Sequence, residues 1–256
     1  MAGISGSSLS GGVSAAKAQG GLIVTGLCKS FGKTRANDDI SVRLIPGEVT
    51  ALIGHNGAGK TTFLNQIVGL TRPDAGSIMH DGTDLIAHPA QARQVCAIMP
   101  QVASSLEGVT PRQAIATAVR IRGLKSKQAQ RAVQETLDTL DLGDWADRPG
   151  HKLSGGIKRL TSFGMAVTAP APIYLFDEPT NDVDPVRRRY LWGAIRELTG
   201  DGAAVLLVTH NIGEAEGAVD EMAILDHGRV LARGMRGSTV GNDMKLQVFT
   251  AAGSRG

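Results

Sequence analysis

A glycine-rich string between an apolar run and a helical segment constrains this chain more than any other feature. Residues 54–62 read GHNGAGKTT and match the pattern G-x-x-x-x-G-K-[ST], in which backbone N–H groups turn inward around a phosphate. The apolar run Val49–Ile53 predicts a buried strand before the string, and a helix is predicted from Lys60 to about Gly69. Such a helix adds the positive end of its dipole. Strand, loop and helix in this order predict a phosphate-binding unit rather than an ordinary glycine-rich turn.

A second apolar run ends in two acidic residues. Ile173–Phe176 predicts a buried strand, and Asp177 and Glu178 follow it directly. Alone, such a pair often only starts a loop or caps a helix, but together with the phosphate-binding string it predicts nucleotide hydrolysis. We expect Lys60 to hold the β- and γ-phosphates of ATP. Thr61 and Asp177 are expected to bind Mg²⁺, and Glu178 is expected to act as the general base toward water.

The hydrophobic pattern changes twice along the chain. Between Gln101 and about Val167 the strand patterns disappear, and the helical segments Pro111–Arg122 and Ser126–Leu140 are predicted instead. On either side of this insertion, short apolar runs predict further strands at residues 22–27, 40–44, 95–99, 204–208 and 222–225.

These patterns predict an α/β fold: a P-loop NTPase core with a mostly parallel sheet, an antiparallel β subdomain near residues 22–50 and 76–84, and an inserted helical subdomain at about 102–168. The ATPase domain is expected to span residues 21–240. Residues 1–20 are rich in Gly, Ser and Ala and predict a flexible tail rather than a signal peptide. Residues 241–256 are expected to form a C-terminal tail.

Composition narrows the classes of function. The 256 residues are 42% apolar and 20% charged, which is ordinary for a globular protein. A net charge of +3 with only 4% aromatic residues does not favour nucleic-acid binding, which usually interleaves aromatics with a basic stripe. Cys28 and Cys96 lack CxxC spacing, so buried reduced thiols are expected rather than a disulfide or a metal site. No uncharged apolar stretch approaches the roughly 20 residues that span a bilayer, so a membrane role would require a partner.

A third motif separates this chain from other phosphate-loop enzymes. Residues 153–156 read LSGG, just before a helical segment and ahead of Asp177. Ser154 and the two glycines at a helix start could bind a second anion, or Ser154 could be an ordinary N-cap. With this motif between the phosphate-binding string and the acidic pair, the sequence resembles the ABC transporter ATPase family over about Leu22 to Arg233.

The resemblance implies roles for further residues. It implies that two such domains pair head to tail, as a homodimer or a heterodimer, and that the LSGG loop of one contacts the γ-phosphate of ATP on the other. Phe31 would stack on adenine, Gln101 would reach Mg²⁺ and water, and His210 would contact the γ-phosphate. Asp184 would lie in the loop that crosses to the partner. The residues expected to contact ATP are thus Phe31, Gly54, Asn56, Gly57, Gly59, Lys60, Thr61, Thr62, Ser154, Gly155 and Gly156, with Glu178, His210 and Gln101 as the catalytic set.

Two positions depart from the family pattern. Ile157 stands where the family most often has Gln, and Asp182 occupies a position that is more usually small or apolar. The first should matter little if Ser154 and the glycines make the phosphate contacts, whereas the second concerns coupling between domains. His55, inside the phosphate-binding string, is expected to be a solvent-facing residue without a role.

The resemblance also implies a place in the cell. The chain would hydrolyse ATP at the cytoplasmic face of the cell membrane and drive a separate membrane-spanning permease, which is expected to dock near Val102, Leu106 and Val109. The basic residues after LSGG resemble the branch that exports drugs, antibiotics or lipids. An importer subunit for amino acids, a soluble ABC ATPase acting on DNA or ribosomes, and a regulatory module without turnover are the alternatives.

Overall fold

Two β-sheets and a set of helices build the part of the chain that the computed structural model describes, which is residues 20–102, 106–211, 218–235 and 246–248. The predicted tails lie almost wholly outside these ranges. In chain order, the strands are β1 (Leu22–Phe31), β2 (Thr34–Leu44), β3 (Val49–Ile53), β4 (Ala75–His80), β5 (Thr83–Asp84), β6 (Cys96–Met99), β7 (Ile173–Asp177), β8 (Ala204–Thr209), β9 (Glu221–Asp226), β10 (Arg229–Met235) and β11 (Leu246–Val248). The helices are α1 (Lys60–Ile67), α2 (Pro89–Val95), α3 (Pro111–Ile121), α4 (Ser126–Thr139), α5 (Gly155–Val167) and α6 (Pro185–Gly200).

The smaller sheet is antiparallel and has the order β2-β1-β4-β5. Leu22 and Val24 of β1 and Val42 and Leu44 of β2 are buried on one face, and the residues between them are more exposed. This alternation is the pattern of a sheet with one covered face. The predicted antiparallel β subdomain is confirmed.

The larger sheet has the order β11-β10-β9-β3-β8-β7-β6. It is parallel from β9 to β6, and β10 and β11 extend it antiparallel. Every residue of β3, β7 and β8 is buried, because both faces of the sheet are covered. Alternate residues point to different cores: Ala51 and Ile53 pack toward α5 and α6, whereas Leu52 packs with the smaller sheet and α1.

The helical insertion lies between β6 and β7, and no strand occurs in its described residues. Thr110 begins α3 with a capping box, in which Gln113 N–H donates to the Thr110 hydroxyl. Gly164 of α5 lies where three helices meet, because a Cβ there would lie 3.1–3.2 Å from side-chain atoms of Thr136, Ile115 and Leu140. The insertion is therefore a packed helical lobe, as the sequence predicts.

Both cysteines are free thiols, as expected, but only Cys96 is buried. Burial raises the pKa of Cys96 to about 12, so this thiol stays protonated and unreactive. Cys28 is half-buried, in contrast to the expectation, because its strand lies in the antiparallel sheet with one covered face.

Within the described ranges, no helix combines the length and the apolar character that crossing a membrane requires.

Candidate active site

The phosphate-binding string forms the loop between β3 and α1, and we call residues 54–62 the phosphate loop. Gly59 has φ +105°, and a Cβ there would lie 2.1 Å from the Ala36 carbonyl oxygen, so only glycine fits. Gly54 is equally confined, since a Cβ would lie 2.4 Å from the Leu225 carbonyl oxygen. The loop is thus fixed against β2 and the end of β9.

A cavity of about 350 Å³ lies beside this loop. Most of the predicted nucleotide-binding residues line it, namely Asn56, Gly57, Gly59, Lys60, Thr61, Thr62 and Gln101. Arg35 and His227 line it as well, although no sequence motif predicts either residue there. Both residues are far from the loop in the sequence. β2 and the β9–β10 turn lie close to it only because the strands of the sheets pair.

Lys60 is buried at the start of α1. Its ammonium donates hydrogen bonds to the carbonyl oxygens of Gly54 at 2.7 Å and His55 at 3.0 Å. An ammonium carries three N–H donors, so one remains for a phosphate oxygen in the adjoining cavity. The carbonyl groups of the loop therefore orient the Lys60 ammonium toward the cavity.

Asp177 ends β7 directly beside Thr61. The Thr61 hydroxyl donates to Asp177 Oδ2 at 2.9 Å, whereas the buried Oδ1 has no hydrogen-bond partner among the described residues. Burial raises the pKa of Asp177, and the Thr61 hydrogen bond opposes this. A buried carboxylate oxygen that lacks a donor, next to a hydroxyl, is a donor set that suits Mg²⁺. The residues present thus fit the predicted ion, with Gln101 lining the same cavity.

Glu178 follows Asp177 and is held on both carboxylate oxygens. His210 Nδ1 lies 2.7 Å from Oε1, and the Thr209 hydroxyl donates to Oε2 at 3.1 Å. Glu178 is 1% exposed and has φ +52°, a left-handed conformation that costs a non-glycine residue roughly 1–2 kcal/mol. The structure therefore brings two predicted catalytic residues, Glu178 and His210, into one hydrogen-bonded pair.

Arg159 is a residue of this site that the sequence interpretation missed. It is 4% exposed, and its guanidinium donates to the carbonyl oxygens of Asp177 at 2.6 Å, Glu178 at 3.0 Å and Pro100 at 3.3 Å, and also to that of Gln101. Burial lowers the pKa of Arg159, and the Asp177 and Glu178 charges oppose the shift. A signal existed, because a charged residue within the apolar face of a helix must have buried partners.

The LSGG loop lies apart from the cavity, since none of its residues lines it. Ser154 is the N-cap of α5, and its hydroxyl accepts a hydrogen bond from the Ile157 N–H at 3.4 Å. A Cβ on Gly156 would lie 2.5 Å from the Asp182 carbonyl oxygen, so this loop packs against residues 181–184 of its own chain. Asp182 has φ +62°, which Asp tolerates better than an apolar residue does.

Asp184 and Phe31 complete the predicted set. The Asp184 carboxylate caps α6, accepting from Val186 N–H at 3.1 Å and Arg187 N–H at 3.0 Å. The Arg187 hydrogen bond lowers the pKa of Asp184. Phe31, at the end of β1, is 53% exposed and carries Lys29 Nζ 5.5 Å from its ring centroid, but it is not among the residues that line the cavity. Its stacking on adenine stays a prediction.

The three residues of the expected permease surface differ in their exposure to solvent. Val102 is 79% exposed and Val109 is 36% exposed, but Leu106 is buried. Leu106 packs against Gly150, where a Cβ would lie within 2.3 Å of the Leu106 side chain. Including Leu106 in a docking surface is therefore wrong, because this residue holds the lobe together.

Comparisons with known proteins agree with this geometry. The family profile described as ABC transporter matches residues 37–181. The daunorubicin/doxorubicin resistance ATP-binding protein DrrA of Streptomyces peucetius is 33% identical over 231 residues, which are 89% of this chain and 70% of that protein. The Nod factor export ATP-binding protein I of Ralstonia nicotianae is 31% identical over 91% of this chain and 72% of its own length.

Solved structures share the fold. The structure of an ATP-binding subunit of an ABC transporter superposes with a TM-score of 0.78 at 30% identity, covering 84% of this chain and 90% of that one. The ADP conformation of an ATP-binding cassette of an ABC transporter gives a TM-score of 0.71 at 25% identity over the same shares of the two chains. The chain belongs to the ABC transporter family. It is an ATP-binding, ATP-hydrolysing subunit of such a transporter.

Proposed function

We propose that the cavity beside the phosphate loop holds ATP and Mg²⁺, and that Glu178 and His210 act together on the water that attacks the γ-phosphate. The observation that carries this proposal is the meeting of three features at one end of the parallel sheet. These are the buried ammonium of Lys60, the partnerless Oδ1 of Asp177 and the Glu178–His210 hydrogen bond. Asp177, Glu178 and His210 do not line the cavity themselves, but Asp177 is hydrogen-bonded to Thr61, which does, so the charge, the metal ligand and the base are adjacent.

Each residue has a separate role in the proposed hydrolysis of ATP. Lys60 offsets negative charge on the β- and γ-phosphates, and the phosphate loop N–H groups orient them. Asp177 and Thr61, with Gln101 nearby, hold the Mg²⁺, which when bound neutralises charge on the phosphate oxygens. Glu178 orients the water and accepts its proton, while His210 and Thr209 keep the carboxylate in a single orientation.

A second nucleotide-binding domain is part of this proposal. Ser154, Gly155 and Gly156 do not line the cavity of their own chain, yet they begin a helix as an anion-binding loop does. We assign them to the γ-phosphate of ATP held by a second domain, identical or not, so that each site has two halves.

A membrane-spanning permease is the other proposed partner. An apolar groove of about 300 Å³ lies between the larger sheet and the helical lobe. Leu70 and Ile121 line it and are 67% and 79% exposed, which is unusual for large apolar side chains. We propose that a short amphipathic helix of a membrane subunit binds in this groove, with the chain at the cytoplasmic face of the cell membrane. The exposed residues Val102 and Val109 of the predicted surface remain part of this proposal.

Export is the proposed direction of transport. The names of the relatives concern daunorubicin and doxorubicin resistance and Nod factor export, which favours a drug, antibiotic or lipid-like cargo over an imported amino acid. The membrane subunit contacts the cargo, so it determines which molecule is moved.

The test of the site is the variant Glu178→Gln. We expect it to bind ATP with unchanged affinity and to lose turnover by at least about a hundredfold, because it removes the base and leaves the phosphate loop intact. Lys60→Ala should instead weaken ATP binding itself. Glu135→Gln, which removes an exposed carboxylate of α4, is the matched control and should leave both quantities unchanged. Near-normal steady-state hydrolysis by Glu178→Gln would exclude Glu178 as the base.

A further inference from the structure

Two histidines and an aspartate lie together beside the phosphate loop, and the proposed function gives them no role. His55 is the second residue of the loop, Asp226 ends β9, and His227 lies in the turn to β10. The turn is bonded to the loop through the backbone, because Gly228 N–H donates to the Ala58 carbonyl oxygen at 3.0 Å. The three side chains therefore bridge two segments that are far apart in the sequence.

The potential ligand atoms of these residues converge. His55 Nε2 lies 2.8 Å from Asp226 Oδ1, and His227 Nε2 lies 3.8 Å from the same oxygen. One nitrogen or oxygen atom from each residue lies within 4.8 Å of those from the other two. The side chains of His55 and His227 are 51% and 86% exposed, so solutes have access to the cluster.

The hydrogen bonds of His55 demand one proton too many for a neutral ring. His55 Nδ1 lies 2.7 Å from the Asn56 carbonyl oxygen, which can only accept, so Nδ1 carries a proton. Nε2 then has a lone pair, yet it faces a carboxylate oxygen. A cation placed between these two atoms would be bonded by both of them. In metal sites, a ligating histidine commonly donates its other N–H to a backbone carbonyl in this way.

We propose that His55, Asp226 and His227 bind a divalent transition metal ion. Two imidazole nitrogens and one carboxylate oxygen form the ligand set of many zinc sites, in which water fills the fourth position. Nitrogen ligands favour Zn²⁺ over Mg²⁺, which prefers oxygen. This site is therefore separate in chemistry from the Asp177–Thr61 position. The expectation that His55 is a solvent-facing residue without a role is replaced by this proposal.

The ion would act on the nucleotide cavity. The His55 carbonyl oxygen accepts a hydrogen bond from Lys60 Nζ, and His227 lines the cavity. An ion bound to His227, together with its water ligands, takes up part of the space in this cavity. Zn²⁺ should therefore lower the affinity for ATP. This consequence rests on the proposed function of the loop, whereas metal binding itself does not.

Metal binding is tested by calorimetric titration of the full chain with Zn²⁺ in the absence of nucleotide and with Mg²⁺ in excess. Wild type should bind one Zn²⁺ at this site, and His55→Ala, His227→Ala and Asp226→Asn should each weaken its binding at least about tenfold. His151→Ala, at an exposed histidine outside the cluster, is the matched control. His210→Ala controls for binding beside Glu178. Absence of Zn²⁺ binding, equal affinity in the cluster variants, or a loss confined to His210→Ala would overturn the proposal. Circular dichroism of each variant separates lost ligands from lost folding.

Coupling to nucleotide is tested by titrating a fluorescent ATP analogue with and without saturating Zn²⁺. Zn²⁺ should weaken binding to wild type and to His151→Ala but not to His227→Ala. If Zn²⁺ binding maps to the cluster and the analogue binds equally well with and without it, the coupling is wrong. If no variant binds the analogue under any condition, the proposed function fails instead, and the Zn²⁺ titration is still interpretable.

Discussion

Two loops of this chain begin helices with a Gly-rich segment, but the fold holds them differently. The phosphate loop is enclosed: Gly59 touches the backbone of β2, Lys60 is buried, and the loop lines a cavity. The LSGG loop is exposed at Ser154 and Gly155, and it lines no part of that cavity. The first loop thus lies beside Asp177 of its own chain, the residue predicted to bind Mg²⁺. The second, for which we propose anion binding, lines no part of this cavity, as expected of a loop that serves another molecule.

The largest effect on ATP binding and stability is expected for a substitution in the phosphate loop, which is the enclosed loop. Gly59→Ala should abolish ATP binding and lower the free energy of unfolding by at least about 2 kcal/mol, because the new Cβ meets a backbone oxygen at 2.1 Å and φ is positive. Gly57→Ala is the matched control: φ is +87° but nothing lies within 4 Å, so only the conformational cost of about 1 kcal/mol remains. Denaturant unfolding and ATP titration check both. Equal effects of the two variants would mean that the loop is not confined by β2.

Arg159 connects helix α5, which begins at the LSGG loop, to the backbone of Asp177 and Glu178, and its substitution should have the next largest effect. Arg159→Lys keeps the charge but cannot reach the carbonyl oxygens of Asp177, Glu178 and Gln101 together, so unfolding should become easier by about 2–3 kcal/mol. Hydrolysis should also fall, because Glu178 loses backbone support. Arg189→Lys, at an exposed position of α6, should change neither quantity. Wild-type stability of Arg159→Lys would contradict the structural role given to this guanidinium.

Mixing variants tests whether the exposed loop serves a second chain. If the partner is an identical copy, a Lys60→Ala chain paired with a Ser154→Arg chain has both lesions in one shared site and leaves the other site whole. The mixture should then hydrolyse ATP faster than either variant alone, though at no more than about half the wild-type rate.

Size-exclusion chromatography of Glu178→Gln with Mg-ATP gives an independent check, since this variant should migrate as a dimer and Lys60→Ala as a monomer. No gain in the mixture, together with a monomeric Glu178→Gln even in the presence of its membrane partner, would exclude shared sites.

The smallest expected effect concerns Asp184, in the segment that packs beside the LSGG loop. Its pKa is lower in the folded chain than in the unfolded chain, chiefly through Arg187. The ionised cap therefore stabilises the fold above the unfolded pKa, and this contribution is lost as the pH falls through the folded pKa. Asp184→Ala should cost about 1 kcal/mol at neutral pH and less in acid. A stability difference from wild type that does not shrink in acid would contradict the assignment. Asp144→Ala, at an exposed acidic residue, is the control.

The sequence predicted the fully buried elements best. The bounds of β3 are those of the apolar run Val49–Ile53, because a strand covered on both faces is apolar throughout. The apolar pattern predicts β1 only to Leu27, but the strand extends to Phe31, because its last part pairs with β2 through backbone groups and includes the polar residues Lys29 and Ser30. Hydrogen bonding of that kind leaves no hydrophobic pattern.

Sequence patterns predict the site residues that belong to one local motif. They do not predict the residues whose partners are far away in the sequence. The phosphate loop and the acidic pair were found, because their spacing is local. The partners of Arg159 are carbonyl groups, which every residue has, so no sequence pattern reveals them. His55 and Asp226 are separated by 171 residues, and only the β3–β9 pairing brings them together.

Helix α5 has a mechanical consequence that follows from its two ends. Ser154 begins the helix, and Arg159 lies five residues later, a rise of roughly 7 Å along a rigid rod. The Arg159 guanidinium donates hydrogen bonds to the carbonyl oxygens of Gln101 and Glu178. A displacement of the Ser154 end of α5 would therefore reach the backbone of Glu178 through the helix and this hydrogen bond.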